Sequence, residues 1–95
     1  DIYTKKLIKN LNRLVNSLER QQANVIVDIF HEIDELELNL DLKEAQNVYF
    51  NKIYMRIIEI LDVPQGTPDK KFIQLLLDIG SKLNINTEFY KAKLN

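Results

Sequence analysis

The sequence has no cysteine and no tryptophan, two glycines, two prolines and one histidine. Without cysteine, disulfides, thiol nucleophiles and thiolate-bound zinc are excluded. Two glycines, Gly66 and Gly80, are too few to build a glycine-rich phosphate cradle. His31 shares a helical face with Asp28 and Glu35, but a two-helix carboxylate–histidine metal site needs a second histidine, as does a zinc-protease helix. Ser17 and Ser81 are the only serines, and neither lies in the glycine-flanked turn that exposes a nucleophile. Glu32 and Glu35 read as part of a solvated acidic face rather than an acid–base pair. No catalytic group, cofactor or metal is therefore expected.

Charge of one sign is also lacking. Thirteen basic against fourteen acidic residues leave a net charge of −1, which disfavours a nucleic-acid binder, since such domains carry a clear excess of Lys and Arg. No helix concentrates the Arg, Lys and Asn needed to read a DNA groove. Long apolar runs are absent too. Leu75-Leu76-Leu77 is far too short to cross a bilayer, and Ile2-Tyr3-Thr4-Lys5-Lys6 does not open a signal peptide. A cytosolic protein is the expectation.

What the chain does have is helical periodicity. Its 95 residues suit one domain with one core. Leu7, Leu11, Leu14 and Leu18 form one stripe, and Ile26, Ile29, Phe30, Ile33 and Leu36 a second. Leu42, Ala45, Tyr49, Ile53, Ile57 and Ile60 form a third, and Phe72, Ile73, Leu76, Ile79 and Leu83 a fourth. Leu36 to Leu42 alternates like a strand, but a lone strand has no partner, so it reads as a helix end and a connection. The expected fold is all-α: an antiparallel four-helix bundle with helices over about 2–21, 24–38, 42–62 and 68–84, and a tail, or an extra helical turn, over 85–95.

The boundaries carry their own chemistry. The first break is set near Gln21–Asn24, with Asn24 as cap, because an unbroken helix would be far longer than a compact domain of this size. Asp41 and Glu44 have capping-box spacing. The one strong break runs from Asp62 to Pro68, and Thr67-Pro68-Asp69 reads as cap, first-position proline and first-turn acid. Gly80 inside the fourth stripe points to a close helix–helix approach, with a surface of bare backbone as the alternative. Tyr49, Phe50, Tyr54 and Phe72 fall on the stripes and are expected in the core. Of Phe89 and Tyr90, one is expected to pin the tail and the other to be exposed for recognition.

Charge is uneven along the chain. Residues 1–24 hold Lys5, Lys6, Lys9, Arg13 and Arg20 against two acids. Residues 25–47 hold seven acids, Asp28 to Glu44, against Lys43 alone. Complementary solvated faces on adjacent helices account for this, with an acidic docking surface as the sharper reading.

The run Phe72-Ile73-Gln74-Leu75-Leu76-Leu77-Asp78-Ile79-Gly80-Ser81-Lys82-Leu83-Asn84-Ile85-Asn86, followed by Tyr90, resembles the ending of the pediocin-like (class IIa) bacteriocin immunity proteins of the enterocin A immunity branch. The tyrosine-rich amphipathic segment Asn47 to Leu61 is similar as well. The useful resemblance spans Leu42 to Tyr90; the first forty residues match only in helical pattern. The tail stops at Asn95, and some relatives have longer ones.

The resemblance implies a non-enzymatic cytosolic protein of a Gram-positive bacterium, partly associated with the membrane. It would protect the cell from a short cationic bacteriocin that kills through the mannose phosphotransferase permease. It would act from the cytosolic side on the permease–bacteriocin complex, with no nucleic acid or small-molecule substrate. The recognition end it implies comprises Lys82, Asn84, Asn86, Glu88, Tyr90, Lys91 and Lys93; Gly80, Pro68 and Thr67 are structural residues on the capping and packing grounds given above. A polar, basic segment beside a rigid bundle suits recognition, and its lysines suit a peripheral contact with the anionic inner leaflet. The competing reading is a cytosolic helical inhibitor or adaptor that binds a basic protein directly through the acidic second helix, or takes a partner helix into a groove.

Overall fold

The structure, a computed structural model, describes residues 1–62 and 66–94. Val63 to Gln65, in the middle of the expected break, and Asn95 lie outside the described residues. Every regular element among them is helical.

Helix α1 (Ile2–Asn16) starts where the Asp1 carboxylate accepts the Thr4 N–H at 2.9 Å, and its stripe buries Leu7, Leu11 and Leu14. Helix α2 (Arg20–Glu35) buries Ala23, Ile26, Ile29, Phe30 and Ile33. Between them Ser17 and Glu19 are extended, so the break falls at 17–19 and not at Gln21–Asn24. Asn24 lies inside α2 and caps nothing. The Asn10 and Gln22 side chains explain the tight join: Gln22 Nε2 donates to Asn10 Oδ1 at 3.0 Å, and Asn10 Nδ2 donates to the Lys6 carbonyl at 2.8 Å.

α2 ends in a Schellman motif, with Leu38 N–H on the Ile33 carbonyl and Glu37 N–H on that of Asp34. Glu37 takes the left-handed position, φ +52°. The alternating leucines of 36–42 form a connection with no strand.

The third rod is continuous over 43–62, but it changes pitch. Helix α3 (Lys43–Val48) passes into a π-helical turn (Tyr49–Tyr54) and then helix α4 (Met55–Asp62). The expected Asp41–Glu44 capping box does not form: Leu42 is the cap residue, and Asp41 accepts the Lys43 N–H in a local turn. The pitch change also overturns one core assignment. A π turn carries an extra residue, so position i meets i+5. Tyr49 accordingly stacks on Tyr54, with ring centroids 6.1 Å apart, and both are buried, while Phe50 is rotated out and 47% exposed.

Helix α5 (Lys70–Lys82) is capped by Asp69, whose carboxylate accepts the Phe72 N–H at 3.1 Å. Thr67 is therefore not the cap, and Pro68 precedes the helix rather than opening it. Asp69 also meets Arg20 of α2, at 2.6 Å. A last short helix, α6 (Glu88–Ala92), follows.

Cross-helix contacts fix the directions. Lys6 of α1 meets Glu32 of α2 at 3.6 Å, so these two run antiparallel. Arg20 meets Asp69, and Lys82 meets Asp34 at 3.8 Å, so α2 and α5 are parallel neighbours. Gln46 Nε2 donates to the Leu83 carbonyl at 2.7 Å, so the third rod runs against α5. Sequence-adjacent helices are thus antiparallel, as expected. α1 packs on α2 and the third rod, and α5 packs on the same two, which leaves α2 and the third rod on a diagonal. The 36–42 connection crosses one end of the bundle.

Gly80 is where α5 meets the third rod. The Tyr49 hydroxyl donates to the Leu76 carbonyl at 2.8 Å, and its ring sits directly against the bare Gly80 backbone. Burial pushes the Tyr49 pKa well above the usual phenol value.

Candidate recognition site

The C-terminal segment is folded back onto the bundle. α5 ends in a second Schellman motif: Ile85 N–H bonds the Gly80 carbonyl, and Asn84 N–H that of Ser81. Asn84 occupies the left-handed position, φ +63°, which asparagine tolerates better than most residues. The Asn86 side chain accepts the Glu88 N–H at 3.1 Å and helps start α6. The anchor is Thr87, only 1% exposed. Its hydroxyl lies 2.8 Å from that of Ser81 and 3.3 Å from the Leu77 carbonyl. Leu94 is buried, so both ends of the segment are held.

The lysines of this end are engaged. Lys91 reaches Asp78 at 3.2 Å and Ser81 Oγ at 2.9 Å. Lys93 bonds Asp62 at 2.8 Å, and that hydrogen bond raises its pKa above the usual amine value. Lys82 points the other way, to Asp34 of α2. The seven candidate residues therefore do not form one patch. Lys82 flanks α2, Asn84 and Asn86 shape the chain, and Lys91 and Lys93 tie the tail to α5 and α4. Glu88 stays exposed, 3.9 Å from Lys91. Tyr90 is half-buried.

An aromatic row joins this tail to the π turn. The Phe50 and Tyr54 ring centroids are 5.6 Å apart, Tyr54 and Tyr90 are 5.7 Å apart edge to face, and Phe89 and Tyr90 are 5.0 Å apart. Lys93 Nζ lies 5.0 Å from the Phe89 centroid and 5.1 Å from that of Tyr90. Tyr90 is the ring that pins the tail, and Phe89, 64% exposed, is the one left outside. Phe50 at the far end of the row escaped sequence reasoning, because its exposure depends on the π turn. A row of rings exposed at its two ends, Phe50 and Phe89, and flanked by lysine has the composition of a protein-binding or membrane-interface surface.

His31 is exposed on α2. Among the described residues no three His, Asp or Glu side chains converge to hold a metal ion, and no helix is long and apolar enough to cross a membrane. No protein-family model, curated protein or solved structure matches the chain.

Proposed function

We propose that the chain is a bacteriocin immunity protein of the pediocin-like, enterocin A immunity kind. In this reading it acts from the cytosolic side on the complex of a class IIa bacteriocin with the mannose phosphotransferase permease. The observation that carries the reading is the run Phe72 to Asn86 followed by Tyr90, set in an all-α bundle. The docked tail supports it further, because a short element held on a rigid scaffold presents fixed side chains to a partner. Among the exposed residues of that end, which also include Asn84, Asn86 and Lys93, Phe89, Glu88 and Lys82 are the first to test.

The experiment is protection. The chain is expressed in a sensitive Gram-positive strain and challenged with a panel of class IIa bacteriocins. Selective survival against one or a few supports the reading; death across the panel, with expression confirmed, overturns it. Reversing Lys91 and Lys93 would also undock the tail, so Phe89→Ser is the cleaner specificity variant. A peripheral membrane contact is checked with vesicles containing anionic lipid, where unchanged partition of Phe89→Ser argues against it.

A further inference from the structure

Helix α5 is flanked by two grooves. On the side of the third rod, the groove is filled by the chain's own α6 and the residues after it. Tyr90 packs on Tyr54, Leu94 is buried, Lys91 bonds Asp78, and Lys93 bonds Asp62. On the other side, between α2 and α5, lies an open groove of about 330 Å³. Val27 and Phe30 of α2 and Leu75 and Ile79 of α5 give it an apolar floor, with His31, Asp34, Asp78 and Lys82 along its edges. The two grooves share Asp78 and the chemistry of an apolar floor with carboxylates at the rim.

The charge of the open side is one-sided on α2. No Lys or Arg occurs from Gln21 to Leu42, a stretch holding Asp28, Glu32, Asp34, Glu35, Glu37 and Asp41. Glu32 and Asp34 have cationic partners, Lys6 and Lys82. Among the described residues Asp28 and Glu35 have none within 4.0 Å. By helical spacing both stand beside His31, on the edge of α2 that borders the groove.

We infer that the α2/α5 groove binds a cationic amphipathic helix from a partner protein. The chain itself shows the kind of occupant: a short helical segment with apolar side chains four residues apart turned inward and lysines reaching the rim carboxylates. The partner helix lays two or three apolar side chains on Val27, Phe30, Leu75 and Ile79. Its Lys or Arg residues reach Asp28 and Glu35. Helix-in-groove recognition works through such i, i+3/i+4 anchors, and the flanking charges steer approach and fix register. The inference goes beyond the immunity reading; the groove adjoins the tail, since Lys91 bonds Asp78 and Ser81 of its lining, and it includes Lys82.

The test is a titration of the isotope-labelled chain with a synthetic amphipathic Leu/Lys peptide of about 14 residues. Two controls have the same length: a scrambled peptide of equal charge, and one with Glu for Lys. The expected result is amide shifts over residues 27–35 and 75–82, with neither control binding there. The double variant Asp28→Lys/Glu35→Lys is expected to weaken binding about tenfold or more. Both positions are exposed, and a thermal melt checks that the variant folds. If it does not, raising the salt on the wild-type chain must weaken binding instead. Four results overturn the inference: no binding; equal binding of the scrambled peptide; shifts confined to Phe50, Tyr54, Phe89 and Tyr90; or peptide-free self-association that covers the groove. Protection against bacteriocins is scored separately, so a negative titration with intact protection removes the groove alone.

Discussion

The Tyr49 ring occupies the space that a β-carbon at position 80 would need. A β-carbon built on Gly80 would lie 2.5 Å from the Tyr49 hydroxyl oxygen, 2.6 Å from Cζ and 2.7 Å from Cε1. Gly80→Ala therefore forces the ring, or the whole third rod, away from α5. We expect a loss of about 2 kcal/mol, the usual scale of overpacking, measured by urea denaturation. Tyr49→Phe loses the buried bond to the Leu76 carbonyl, about 1 kcal/mol. It does not rescue Gly80→Ala, because the ring carbons still collide. Full additivity of the two losses would contradict this shared contact.

Thr87 is the anchor of the tail. Thr87→Val keeps the shape but removes the hydroxyl shared between Ser81 and the Leu77 carbonyl. The expected cost is about 1 kcal/mol. It is local: amide exchange should quicken over residues 88–94 and stay unchanged in α1. Uniform quickening across the bundle would show that the tail is not a separate opening unit.

Asp69 gives stability a sign with pH. Its bond from the Phe72 N–H, aided by Arg20, holds its carboxyl below the usual carboxylate range. A depressed folded-state pKa stabilises fully above the unfolded-state value, about 3.9, and the contribution is lost as pH falls through the folded value. The melting temperature of the wild type should therefore drop more steeply than that of Asp69→Asn as pH is lowered below about 5. Parallel curves would contradict the cap.

Glu37 sits in the left-handed region, where a β-carbon costs about 1 kcal/mol. Glu37→Gly should raise stability by about that amount while the Leu38-to-Ile33 hydrogen bond persists. A lowered melting temperature would show that the glutamate side chain contributes something the backbone does not reveal.

The stripes were legible because burial follows the helical period. Leu7, Leu11 and Leu14, Ile26, Ile29 and Ile33, and Ile73, Leu76 and Ile79 are all buried. Phe50 was misread because the period itself changes at Tyr49, and no residue in Tyr49–Tyr54 announces a π turn. The Thr67 cap was misread because Asp69, two residues on, also offers a capping oxygen and has a partner in Arg20, 49 positions away in sequence. The candidate site was only half legible. Neither the anchor Thr87 nor Phe50 was read as part of it, and the engagement of Lys91 and Lys93 with Asp62, Asp78 and Ser81 spans 10 to 31 positions of sequence, which no local pattern reports. The α2/α5 groove was invisible for the same reason: its walls belong to helices separated by the whole third rod.

The crossing of residues 36–42 over the bundle end divides the chain into two helical hairpins, α1 with α2 and the third rod with α5. Most native contacts of each hairpin close over short loops, which favours rapid formation. Docking them side by side joins parts of the chain still farther apart, as in Arg20 with Asp69 and Asp34 with Lys82. A cut between Leu38 and Asn39 would turn that step into a meeting of two molecules. The fold would then become an assembly whose melting point rises with the concentration of its halves.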